Sequence, residues 1–182
     1  MRKRKPQRRP RVSKKSPSVA PKNFDQYRAK SERSQDLWAR VTHVVSKMRA
    51  NRVSLRQASR EFGLAPQTVI RWGGSALRKR KNGQYVAKAS DRLLRVLVIP
   101  TSKGLQEVAV MDSRHASDLG KYWDAVQGYL ETGESSALRK FGQKRIKDAN
   151  GVRISLITDV QELDRLGSAG VLSFESLYAK AA

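Results

Sequence analysis

The sequence predicts an all-α three-helix unit in its N-terminal half, a small α+β domain in its C-terminal half, and a disordered basic arm ahead of both. Apolar residues recur at helical spacing between positions 34 and 72. Beyond position 90 they give way to β-branched runs punctuated by turn residues. The first 22 residues carry 10 Lys+Arg, no acid and almost no apolar side chain. A chain of 182 residues suits one ordinary domain or two small ones. The change of pattern favours two: residues 23–81 and 91–182, joined by a linker at 82–90.

In the arm, residues 1–22, only Val12, Val19 and Ala20 are apolar beyond Met1, too little burial to offset the entropy of ordering. Its charge lies chiefly on Arg2, Lys3, Arg4, Lys5, Arg8, Arg9 and Arg11. Pro6, Pro10 and Pro17 oppose the amphipathic helix of a mitochondrial transit peptide, and the start lacks the apolar core of a secretory signal. No apolar run approaches the roughly 18 residues of a membrane span, so a soluble, membrane-free protein is expected. The absence of cysteine excludes disulfide scaffolds and zinc fingers. It also fits an intracellular setting: cytoplasm or nucleoid in a bacterium, nucleus in a eukaryote.

The first helix is expected over roughly 24 or 34 to 50, because Leu37, Val41, Val44, Val45 and Met48 fall on one stripe, with Ser34 as N-cap. Asn51 and Arg52 end it and Ser54 caps the second helix, whose Leu55, Ala58, Ser59 and Phe62 share a face. Gly63 supplies the left-handed turn. Pro66 opens a third helix, where its missing N–H is unpaired in any case, and Val69 and Trp72 form the buried stripe. Small Ala58 and Ser59 let the helices cross closely. Small residues, Gly and Val at these offsets are a helix-turn-helix signal. Gly73-Gly74 either ends the helix or admits a close phosphate, and residues 75–81 read as a further basic helical turn or two.

Residues 35–80 resemble the homeodomain-like helix-turn-helix modules of pipsqueak-type proteins and of transposase or resolvase DNA-binding domains. The resemblance implies a three-helix fold whose third helix, here starting at Pro66, enters the major groove. Ala65 stands where a Ser, Thr or Asp cap is more usual.

In the C-terminal half, Leu93–Ile99 and Leu105–Met111 read as a hairpin around 100–104. Leu119, Tyr122, Trp123, Val126 and Leu130 read as a helix stopped by Gly133, and 136–141 as a short helical segment. Asn150-Gly151 marks a second hairpin, Arg145–Ile157. Thr158 with Gln161 reads as the capping box of a last helix over Val160–Leu166, and the tail 171–178 is ambiguous.

Charge narrows the function. The net charge is +10 over residues 1–22, +11 over 23–90 and only +1 over 91–182. The basic half calls for a polyanion, since neutralising phosphates releases condensed counterions. The near-neutral half is expected to serve a protein partner or self-association. Trp123 with Tyr122 and Tyr129 at helical spacing reads as core rather than a base-stacking surface.

Catalytic and metal chemistry find little support. His43 has no carboxylate or histidine three or four residues away and reads as a helix-surface residue. His115 lies between Asp112 and Asp118, which read as caps. Asp112, Asp159 and Glu162 would be the choice for a transposase triad, but about 90 residues are too few for such a domain. Tyr178 would serve a tyrosine recombinase, but the His-x-x-Arg is absent, as are nucleotide-binding loops. No cofactor and no enzymatic activity are expected.

The expectation is a sequence-selective double-stranded DNA-binding protein, a transcriptional regulator or mobile-element accessory protein. Gln67, Thr68 and Arg71 face away from Val69 and Trp72 and would meet base edges. Ile70 either touches a thymine methyl or packs. Arg52, Ser54, Arg56 and the cluster Arg78, Lys79, Arg80 and Lys81 would hold phosphates. The alternative is an RNA-bound structural protein of a ribonucleoprotein.

Overall fold

The computed structural model describes residues 19–173. It contains helices and two antiparallel two-stranded sheets. The basic arm up to residue 18 and the tail from 174, Tyr178 included, lie outside the described residues.

Helix α1 (Phe24–Arg28) is a short turn capped by Asn23, and α2 (Glu32–Asn51) is the scaffold of the N-terminal half. The cap of α2 is Ser31, not Ser34, which lies inside the first turn. Either serine could begin the helix locally; the turn after α1 places the start at the earlier one. Arg52 closes α2 in the left-handed region, at φ 54°. Ser54 caps α3 (Leu55–Glu61) by accepting the Gln57 N–H at 3.2 Å. Gly63, at φ 61°, turns the chain into α4 (Pro66–Gly73).

These helices share a core of Trp38, Val41, Val44, Val45, Met48, Leu55, Ala58, Val69 and Trp72. Gly73 closes it: a Cβ there would lie 3.2 Å from a Val41 methyl. That is closer than ordinary contact, so a side chain at 73 would have to displace Val41 by a few tenths of an ångström. Ser59 is fully buried in α3 and its hydroxyl has no hydrogen-bond partner among the described residues. Ser59→Ala is therefore expected to raise stability by about 1 kcal/mol, since it removes an unsatisfied buried polar group at little change in volume. Urea melts of the two proteins give the difference; a loss of stability would show that the hydroxyl is satisfied.

Where further helix is expected at 75–81, the chain makes a 3₁₀ turn (Gly74–Ala76) and enters a hairpin of β1 (Leu77–Lys79) and β2 (Tyr85–Ala87). Leu77 pairs with Ala87 and Lys79 with Tyr85. Ala76 and Leu77 are buried in the helical core, and Gly83, at φ 83°, forms the turn with Asn82. Anchoring at one end and turn chemistry at the other override the helix propensity of the Arg/Lys run. The expected linker at 82–90 thus holds a strand.

The core also crosses the expected boundary. Leu93, Leu94 and Ala109 belong to the same apolar cluster as α2 and α4, and the Trp38 indole N–H donates to the Leu94 carbonyl at 2.8 Å. Asp91, buried between α2 and the next strand, accepts from Arg49 and from Arg95, the latter at 2.7 Å. Burial pushes its carboxyl up, but these guanidinium bonds and the Leu93 N–H outweigh that and leave it below the ordinary carboxylate value.

Strands β3 (Arg95–Thr101) and β4 (Gly104–Val110) form the expected hairpin, with Pro100 inside a strand opposite Leu105 and the turn tightened to Ser102-Lys103. Helix α5 (Ser113–Thr132) packs on it and ends at Gly133, φ 76°. Its Leu119 and Ala116 join Ile99, Val110 and Ile146 in one cluster. Tyr122 and Val126 join Leu138, Phe141, Ile157, Leu163 and Leu166 in another. Tyr122 is fully buried and its hydroxyl donates to the Ile157 carbonyl. A short α6 (Ser136–Arg139) and α7 (Val160–Ser168) are the last elements among the described residues.

The hairpin expected over Arg145–Ile157 is reduced to one bridge, Lys147 with Arg153, around Gly151 at φ 83°. The cap of α7 is Asp159 rather than Thr158: its carboxylate accepts the Gln161 N–H. No helix among the described residues is long and apolar enough to cross a membrane.

Candidate nucleic-acid interface

Helix α4 has eight residues and so runs for about 12 Å, two turns. At about 100° per residue, Val69, Trp72 and Gly73 cluster on one side, and Gln67 and Arg71 stand opposite. The burial agrees: the first three are buried, and Gln67 and Arg71 are exposed. Thr68 and Ile70 flank the ridge and are half-buried. Ile70 packs against the helical core, which favours packing between its two readings. Pro66 takes the first helical position after Ala65, which offers no side-chain cap.

The predicted phosphate ligands lie on the elements before and after α4. Arg52 is exposed at the end of α2; Ser54 and Arg56 are exposed at the start of α3. Ser54 spends its oxygen on the cap but keeps its O–H to donate. Arg78, Lys79, Arg80 and Lys81 are exposed on β1 and the hairpin turn, not on a helix. Because side chains alternate along a strand, Arg78 and Lys79 leave opposite faces of the ribbon. Among the described residues none of these cations has an ion-pair partner. Glu61, which shares a depression with Arg56, is engaged by Lys47, and Asp36 on α2 holds Arg40 at 2.8 Å. Arg2, Lys3, Arg4, Lys5, Arg8, Arg9 and Arg11 lie outside the described residues.

Sequence reasoning missed Arg60. It lines an open depression of about 470 Å³ with Ser54, Arg56, Gln57 and Glu61. Its spacing of four from Arg56 on a helix was the available signal. Lys88 was also missed: its ammonium donates to the Ser75 carbonyl at 2.6 Å and ties the base of the hairpin to the 3₁₀ turn after α4.

The side chains considered for other chemistry have structural work. Asp112 caps α5 by accepting the Arg114 N–H at 2.7 Å, Asp118 pairs with Lys144, and Asp159 caps α7 with Glu162 in its first turn. His43 is exposed and stacks on Phe62; desolvation and the nearby Arg95 charge lower its pKa. Among the described residues no three His, Asp or Glu are placed to hold a metal ion. No family model matches the chain, and neither a curated protein nor a solved structure matches it.

Proposed function

We propose that this chain binds double-stranded DNA as a non-enzymatic regulator or mobile-element accessory protein, with α3 and α4 acting as a helix-turn-helix and α4 as the reading helix. The observation that carries the reading is the ridge of Gln67 and Arg71. It belongs to a helix whose opposite face is locked in a core, so the two side chains are presented by a rigid support. Arg bidentate to guanine and Gln bidentate to adenine are the side-chain chemistry of major-groove readout. The cations of α3 and of the β1–β2 ribbon are exposed and, among the described residues, have no ion-pair partner, which suits them to phosphates that fix position without specifying sequence.

The test compares full-length variants on a site selected from random duplexes and on random duplex itself. Gln67→Ala and Arg71→Ala are each expected to weaken the selected site about 5- to 150-fold, from a base contact worth about 1–3 kcal/mol, and to spare random duplex. Lys79→Ala is expected to weaken both alike. Equal losses on the two duplexes for Gln67→Ala and Arg71→Ala would leave a module that binds charge without reading sequence. Stronger binding to structured RNA than to any duplex would favour the ribonucleoprotein reading instead.

A further inference from the structure

The near-neutral balance of residues 91–182 conceals a segregation. Residues 139–153 hold six Lys+Arg and one acid, Asp148, so the rest of this half is net acidic. The lone carboxylate is taken: Asp148 accepts the backbone N–H groups of Asn150 and Val152, each at 2.8 Å. Lys144 is also taken, by Asp118.

Three of the remaining cations are placed together by the backbone. The Ile154 N–H donates to the Ile146 carbonyl, and the Asp148 N–H to the Val152 carbonyl. These bonds flank the Lys147–Arg153 bridge, which makes it a non-hydrogen-bonded antiparallel pair, the type with its Cα atoms closest, about 4.5 Å apart. The Lys147 and Arg153 side chains therefore leave the same face side by side. Arg145, two residues before Lys147, leaves that face too. The opposite face carries Ile146, buried with Leu119 and Val110, and Ile154, packed on the same cluster. Arg145, Lys147 and Arg153 are all exposed and, among the described residues, have no ion-pair partner.

Like charges directly opposite each other destabilise an antiparallel pair. Here two stand on a ribbon held down by an isoleucine that is 1 % exposed, so the chain cannot turn them apart without uncovering its core. We infer that Arg145, Lys147 and Arg153 form a second polyanion-binding surface, on the C-terminal half, and that it takes the phosphate backbone of nucleic acid. Nucleic acid is favoured over an anionic membrane because the face offers cations and the polar Ser155, with Ile146 and Ile154 turned inward; Val152, exposed in the turn, alternates away from Arg153 and is a single apolar side chain, too little for insertion. The inference shares with the proposed function only the polyanion, not the reading of bases. Its probe is a duplex of random sequence, so a failure of base reading leaves this test standing.

The full chain and the variant Arg145→Gln/Lys147→Gln/Arg153→Gln are titrated with random duplex across a salt series. The log–log salt slope is expected to fall by about 2.7, roughly 0.9 for each phosphate no longer neutralised. The control Arg92→Gln/Lys103→Gln/Lys121→Gln removes the same charge from exposed positions elsewhere in this half and is expected to change the slope by less than about 1. A triple-variant slope equal to wild type overturns the surface; an equal fall in the control shows net charge alone and also overturns it. Arg153→Glu separates binding from folding. It converts the repulsive pair into an attractive one, so the melting temperature is expected to hold or rise while duplex affinity falls at least tenfold. Wild-type affinity for Arg153→Glu overturns the proposal. So does loss of binding to phosphatidylserine vesicles by the triple variant with its duplex slope intact.

Discussion

Trp38→Ala is expected to destabilise the protein by about 5 kcal/mol, the top of the range for deleting a core aromatic. Trp38 is 1 % exposed, its ring centroid lies 6.1 Å from that of Trp72, and its indole N–H satisfies the Leu94 carbonyl. The substitution opens a cavity between α2 and α4 and leaves a buried acceptor without its donor, two costs that add. Against a total stability of about 5–15 kcal/mol, much of the population would be unfolded at the low end of that range. Urea unfolding followed by circular dichroism measures it. A loss under about 2 kcal/mol would mean that the indole is not central to the core.

Asp91→Ala comes next, at about 3–5 kcal/mol, the cost of breaking a buried ion pair from one side. The Asp91 side chain is 1 % exposed and that of Arg95 7 %, so the variant strands a guanidinium where water scarcely reaches. The wild type should show the same interaction in its acid response. Asp91 holds its proton less tightly folded than unfolded, so the folded state binds fewer protons. The stabilisation is fully present above the unfolded value near 3.8 and is lost as pH falls through the lower folded value. The variant is expected to lack that part of the acid loss. Parallel stability profiles for the two proteins below about pH 4 would show that Asp91 is not the group responsible.

What was legible in the sequence was chiefly local. Ser54 as a cap, Gly63 as a left-handed turn and Pro66 at a first helical position are each local readings, and the structure puts each residue to that use. The facing of α4 followed from the angle between successive residues. Caps failed at α2 and α7, where Ser34 and Thr158 are the expected residues and Ser31 and Asp159 stand at the cap, because the choice depends on how the preceding chain arrives. The β1–β2 ribbon is hidden because three-residue strands carry no period, and Asn82-Gly83 reads as the start of a linker though it has the turn chemistry recognised at Asn150-Gly151. The cations of Arg145, Lys147 and Arg153 vanish when charge is averaged over 92 residues. Their common face depends on a bridge that no sequence window displays. The bond from Trp38 to Leu94 spans 56 positions and has no local trace.

That bond, with Asp91 lodged between Arg49 and Arg95, limits how this chain can be recombined. A crossover at residue 90 is the natural cut for lifting out the proposed DNA-reading cassette and grafting it onto another effector. It would instead carry off α2 with its indole donor bereft of an acceptor, Arg49 without its counterion, and the Leu93 and Leu94 side chains missing from the wall that supports α4. The fragment inherits the α4 ridge but not the support that aims it. The shared core runs on past β4: Ala109 belongs to it, and Met111 and Ala149 pack against it, so no cut between α4 and residue 149 leaves it whole. β3 and β4, through Val96 and Ala109, are therefore part of the same heritable unit as α4.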